Sequence, residues 1–172
     1  MNNSLSIEYA LHSVVNLAAI PPEVTVTIKQ LAHLMGIAHA YLAKVFTQLA
    51  KAGIVRSTVG SKGGISLARP ADDITFYDVF VAVNGRGQLY QCANIRAFSL
   101  GYVPMPGMCE IHQTMREAEE RMFDHLRKVK ISTMADLLLA KLPQGSAEER
   151  VELIRGMLGG APGRRVEPPK PQ

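Results

Sequence analysis

From Val24 to Pro70 the chain has no aspartate and no glutamate, although fifteen acidic residues occur elsewhere in its 172. The same stretch carries Lys29, Lys44, Lys51, Arg56, Lys62 and Arg69. Net charge over the whole chain is only +4, so the informative feature is the asymmetry and not the sum. A segment without acids cannot balance its own cations. It therefore points to a polyanionic partner, with nucleic acid the first to test.

Other absences narrow the class further. Residues 1–20 have no cationic start and no small-residue cleavage site, and Glu8 and His12 interrupt their apolar run, so no secretory leader is expected. No apolar run is long enough to span a bilayer, and a cytoplasmic protein without a membrane partner is expected. Only two cysteines occur, Cys92 and Cys109. In an intracellular chain such a pair is read as free, redox-active or metal-binding before it is read as a structural disulfide. There is no phosphate-binding loop, dinucleotide fingerprint or nucleophile–base pair. The glycines from Gly60 to Gly64 form too short a run for a phosphate loop and open no helix. Neither a catalytic residue nor a small-molecule substrate is expected. There are no internal repeats.

What is present reads mainly as helix. Ile7, Ala10, Leu11, Val14, Leu17 and Ala18 follow helical spacing, with Ser4 as the expected cap and Pro21–Pro22 as the stop. Thr27 is expected to cap a helix from Ile28 to Met35, closed by Gly36. A third helix is expected from about Ala38 to Lys51, with Leu42, Val45, Phe46, Leu49 and Ala50 turned inward and Gly53 ending it. Helix, tight turn, helix is a helix-turn-helix. The period then changes. Ile54–Thr58 and Ile65–Arg69 alternate as strands around Gly60, Gly63 and Gly64, which makes a two-stranded wing.

A fourth helix is expected over about Thr75–Val83, and an irregular stretch from Asn84 to Gly107. A long helix from about Cys109 to Lys130 follows. Its apolar positions Ile111, Met115, Ala118, Met122, Leu126 and Val129 form a narrow seam that asks for a partner helix, most simply that of a second copy. Ser132 or Thr133 is expected to cap a short helix to Leu142, and residues 147–158 to form one more. The Pro- and Gly-rich tail from Gly159 is expected to be disordered.

The second helix of a helix-turn-helix lays its first residues against base edges in the major groove. Here those are Ala38, His39, Ala40 and Tyr41, with Lys44 one turn later. Lys29 on the preceding helix, and Arg56, Ser57, Lys62 and Gly63 on the wing, complete the expected contact set to double-stranded DNA.

The run "YLAKVFTQLAKAGIVRSTVGSKGGISLARP", followed by "ITFYDVFVAVNG", resembles the winged-helix regulators of the IscR, NsrR and RsrR type, the Rrf-two family, over about residues 4–140. The resemblance implies a homodimeric regulator on a near-palindromic operator. It divides the chain into a DNA-binding domain (1–83), a cluster-binding loop (84–108), a dimerisation helix with a following short helix (109–142), and a terminal helix and tail (143–172). Val59 stands where many members carry Arg, Ile65 where many carry an aromatic, and His39 and Ala40 where many carry Ser, so an operator sequence does not carry over.

Cluster-bearing members usually show three closely spaced cysteines, whereas this chain has two. The RsrR-type subgroup, which it resembles most, implies a 2Fe–2S cluster held by Cys92 and Cys109 of one protomer and by Glu8 and His12 of the other. Glu8 and His12 are spaced i, i+4 and share a helix face. Imidazole and carboxylate are competent iron ligands beside thiolates. Taken without the family, Glu8 and His12 read first as a surface pair; Cys92 also reads as a buried apolar residue and the two cysteines as a reversible disulfide, and within the cluster reading His112 competes with His12 as a ligand but does not match the subgroup's spacing. A clusterless regulator responding to cysteine oxidation or to a partner protein is the alternative. A protein-interaction module without DNA binding is the more distant one.

Overall fold

The computed structural model describes residues 3–60, 63–91, 93, 95, 109–143 and 145–159. Lys62 and Cys92 lie outside the described residues, as does most of the irregular stretch and the tail beyond Gly159. Helices α1 (Asn3–Ala19), α2 (Ile28–Leu34) and α3 (His39–Lys51) precede strands β1 (Val55–Thr58) and β2 (Gly64–Leu67). A 3-10 turn (Ala71–Asp73) leads to α4 (Phe76–Asn84). Then come the long α5 (Glu110–Lys128), α6 (Ile131–Leu139) and α7 (Ala147–Gly159). This is the expected mainly helical, winged helix-turn-helix class.

The boundaries have local causes. At α2 the Thr27 hydroxyl accepts from the Gln30 N–H at 3.2 Å, and the Gln30 side-chain carbonyl oxygen accepts from the Thr27 N–H at 2.9 Å. This reciprocal box satisfies two donors that a helix start leaves open. Gly36 then turns the chain at φ +67°, a conformation in which a side chain is strained. Thr75 and Asp78 repeat the box at α4. The wing is antiparallel, pairing Val55 with Leu67 through to Thr58 with Gly64. A bridge from Val26 to Ile65, with the Ile65 N–H donating to the Val26 carbonyl at 2.8 Å, ties the wing's base to the loop before α2.

One apolar core joins most of the elements. Ala10, Val14 and Leu17 of α1 meet Leu31 and Ala32 of α2 and Leu42, Val45, Phe46 and Leu49 of α3. Ile54, Ile65, Ile74, Val79 and Ile131 close it. Each large apolar side chain buried there stabilises the fold by about 1.5–3 kcal/mol relative to exposure. Ile154 and Leu158 bring α7 onto the same core beside α2.

Three local expectations are corrected. Helix α1 begins at Asn3, so Ser4 lies inside its first turn and not at the cap position. Ala50 is exposed, because the inward face of α3 is filled by Leu42, Val45, Phe46 and Leu49. Helix α6 is entered through Lys130 and not through Ser132 or Thr133. Its start is fixed by long-range pairing: Lys130 bridges Thr75, and the Ile131 N–H donates to the Ile74 carbonyl at 2.9 Å. Ser132 donates its hydroxyl to Asp72 at 2.5 Å instead.

Candidate functional site

The start of α3 is built differently from those of α2 and α4. Its N-cap is Ala38, which has no side-chain oxygen to offer. The Tyr41 and Leu42 N–H groups donate to the Ala38 carbonyl at 3.0 and 3.1 Å. A 13-residue helix thus presents an N-terminus without a side-chain cap, and positive partial charge there favours an anion such as phosphate. Ala38, His39, Ala40, Tyr41 and Lys44 are all exposed, and Lys29 is exposed on α2. On the wing Arg56 and Ser57 are exposed, and the Arg56 guanidinium donates from Nε to the Ser66 hydroxyl across the strands at 3.2 Å. Gly63 is half-buried at the tip, and its N–H donates to the Gly60 carbonyl at 2.8 Å. A Cβ at Gly63 would lie 2.6 Å from the Thr58 carbonyl oxygen, so this turn requires glycine.

Tyr41 is tied to α1. Its hydroxyl shares a short hydrogen bond with the Ser6 hydroxyl, and its ring meets Tyr9 edge-on, with centroids 5.6 Å apart and planes at 87°. Both partners come from the first turns of α1, on either side of Glu8. Sequence reasoning misses Ser6. Its spacing from Tyr9, one helical turn, is the signal that could have found it.

Glu8 and His12 are exposed on α1 and border a groove of about 570 Å³ between α1 and α6. Ile7, Leu11, Val15, Phe76, Leu137 and Leu138 give it an apolar floor, and Lys141 stands at its edge. Cys109 is half-buried as the N-cap of α5 and makes no side-chain capping bond. Among the described residues of one chain, no three His, Cys, Asp or Glu side chains gather as a metal site. His112 follows Cys109 by one turn. Its ring lies against Tyr90, with centroids 5.8 Å apart, and its Nδ1 is buried without a hydrogen-bond partner.

Helix α5 is otherwise open. None of its nineteen residues is buried, and Ile111, Met115 and Met122 of the expected seam are exposed. It touches the described body through Phe123, which meets Tyr77 and Phe80 edge-on, through Glu119, which accepts from the Leu89 N–H at 3.1 Å, and through Arg127. The Arg127 guanidinium lies 4.3 Å from the Tyr77 ring centroid, and its pKa is raised chiefly by a hydrogen bond with Tyr77. No helix among the described residues is long and apolar enough to cross a membrane.

Residues 4–137 match the Rrf2 family model, described as an iron-dependent transcriptional regulator. The rrf2 protein of Nitratidesulfovibrio vulgaris is 32% identical over 130 residues, covering 76% of this chain and 82% of that protein. The fold is similar to CymR, the global cysteine regulator of B. subtilis, with a TM-score of 0.63 and 20% identity over 78% of this chain and 95% of that one. It is equally similar to IscR of T. potens, with a TM-score of 0.63 and 23% identity over 83% of this chain and 92% of that one. The chain belongs to the Rrf2 family of DNA-binding transcriptional regulators.

Proposed function

We propose that the chain works as a homodimer that binds a two-fold operator in duplex DNA and reads redox state through a 2Fe–2S cluster shared between protomers. Helix α3 enters the major groove with Ala38, His39 and Tyr41 foremost. Lys29, Lys44, Arg56, Ser57, Lys62 and Gly63 hold the flanking sugar-phosphate chain. The seam of α5 closes on its symmetry mate, since Ile111, Met115 and Met122 stay exposed among the described residues.

The observation that carries the sensing role is the placing of Glu8 and His12. Both stand at the edge of an apolar groove, exposed. Cys92 and Cys109 would hold one iron, and Glu8 and His12 of the partner subunit the other; this donor set suits such a cluster. When bound, the cluster supplies one-electron exchange. The chain's own residues supply the route to DNA, because the turns of α1 that carry Glu8 and His12 also hold Tyr41 of the reading helix through Ser6 and Tyr9.

The test is anaerobic reconstitution followed by a visible spectrum and iron and sulfide counts, on the wild type and on Glu8→Ala, His12→Ala, Cys92→Ala and Cys109→Ala. The expected result is a coloured wild type holding iron and sulfide in equal amounts, with either cysteine variant colourless and the His12 variant shifted. A colourless, iron-free wild type whose DNA binding responds to thiol oxidants would overturn the cluster and leave the clusterless regulator. One observation favours a second ligand set. The unpartnered Nδ1 of His112 lies one turn from Cys109, and a spectrum altered by His112→Ala but not by His12→Ala would select it.

A further inference from the structure

Val59 is 99% exposed, more than any other large apolar side chain among the described residues. A single exposed apolar residue is ordinary on a protein surface. The place of this one is not. It is the first residue of the loop that joins the wing's strands, directly after the last paired residue Thr58, and the hydrogen bonds that close the hairpin do not involve it. The Thr58 hydroxyl donates to the Gly64 carbonyl at 3.3 Å and the Gly63 N–H to the Gly60 carbonyl at 2.8 Å. Turn residues are mostly Gly, Asn, Asp and Ser for conformational reasons, and a β-branched residue meets none of them. Val59 therefore contributes little to the fold of this chain. It lies inside the acid-free stretch, three residues from the exposed Arg56.

We propose that Val59 is a minor-groove contact that excludes G·C pairs from the flank of the operator each wing touches. The inference rests on the wing's reading as a DNA contact. With α3 in the major groove, the next concavity along the duplex is the minor groove. There A·T and T·A pairs show only acceptors, whereas G·C adds the guanine N2 amine. Valine has neither donor nor acceptor, and its χ1 is stiff. Its methyl groups would occupy the space into which the amine projects, and would leave that donor unpaired. A·T pairs leave the space open. The wing thus selects by shape and exclusion, where a cation at the same position would select by the potential of a narrow groove.

The experiment uses the full chain and a duplex it selects from a pool with about 30 randomised base pairs, near three helical turns. Each flanking A·T pair of the selected duplex is replaced by G·C and, separately, by inosine·C. Inosine lacks the N2 amine but keeps the major-groove face of guanine. For the wild type, G·C at the touched position is expected to weaken binding about five-fold or more, in the range of one mismatched pair, and inosine·C to restore it. Val59→Ser, at a fully exposed loop position, is expected to fold normally and to lose the discrimination. Equal penalties for G·C and inosine·C, or discrimination unchanged in Val59→Ser, would overturn the inference while leaving DNA binding intact. If the wild type enriches no sequence from the pool, the DNA reading of the wing falls, and the inference falls with it.

Discussion

Helices α3 and α5 are both amphipathic, and they spend their apolar residues in opposite ways. Helix α3, with thirteen residues, buries Leu42, Val45, Phe46 and Leu49 and is held by its own chain. Helix α5, with nineteen, buries none and leaves Ile111 65% exposed. In a protomer the first is finished and the second is not. The difference shows which half of the protomer completes itself: the winged-helix half folds against its own core, while the helix that follows Cys109 keeps its apolar residues at the surface, where the proposed second copy would cover them.

The comparison breaks most visibly in stability. Leu42→Ala removes a fully buried side chain and is expected to cost about 2–5 kcal/mol in denaturant melts. Met115→Ala, on an exposed face, is expected to change the stability of an isolated protomer by less than about 0.5 kcal/mol. If the two cost the same, α5 is not an unfinished helix. Next in size is assembly. Ile111→Asp with Met122→Asp places charges in the seam and is expected to yield folded protomers in sedimentation, with helicity retained. Dimers that persist would place the interface elsewhere. Thr27→Ala removes the cap of α2 and is expected to cost about 1 kcal/mol, a penalty belonging to the finished half alone. The smallest effect is electrostatic. Lys44→Ala is expected to weaken binding to all sequences alike. It should also flatten the plot of log affinity against log salt by about 0.9, the slope carried by one neutralised phosphate. A change in sequence preference instead would make Lys44 a base reader.

The finished half is also the legible half. Thr27, Gly36 and Gly53 punctuate it, and the inward residues of α3 follow a single period, so cap, turn and core can be read locally. Long-range partners cannot. Nothing near Lys130 signals that it will pair with Thr75, or that Ser132 will turn to Asp72. Ser13 lies in an apolar run yet is fully buried, its hydroxyl donating to the Met35 sulfur at 3.6 Å, an interaction made only when α1 crosses the end of α2. The site divides along the same line. The exposure of His39, Lys44 and Arg56 follows from helix and strand period. The engagement of Tyr41 by Ser6 and Tyr9, and the apolar groove beside Glu8 and His12, depend on the docking of α1 against α3 and α6.

In the proposed reading the unfinished half assembles its sensor from two chains. Co-expression of a Glu8→Ala/His12→Ala chain with a Cys92→Ala/Cys109→Ala chain tests it most directly, with iron and the visible spectrum of the purified mixture as the readout. Neither double variant alone retains a complete ligand set. If the ligands come from different protomers, half of the randomly paired dimers are mixed and each has one intact site, so about a quarter of the wild-type cluster content should return. If the mixture stays as colourless as its parents while the wild type is coloured, the ligands belong to a single chain and the shared site is wrong.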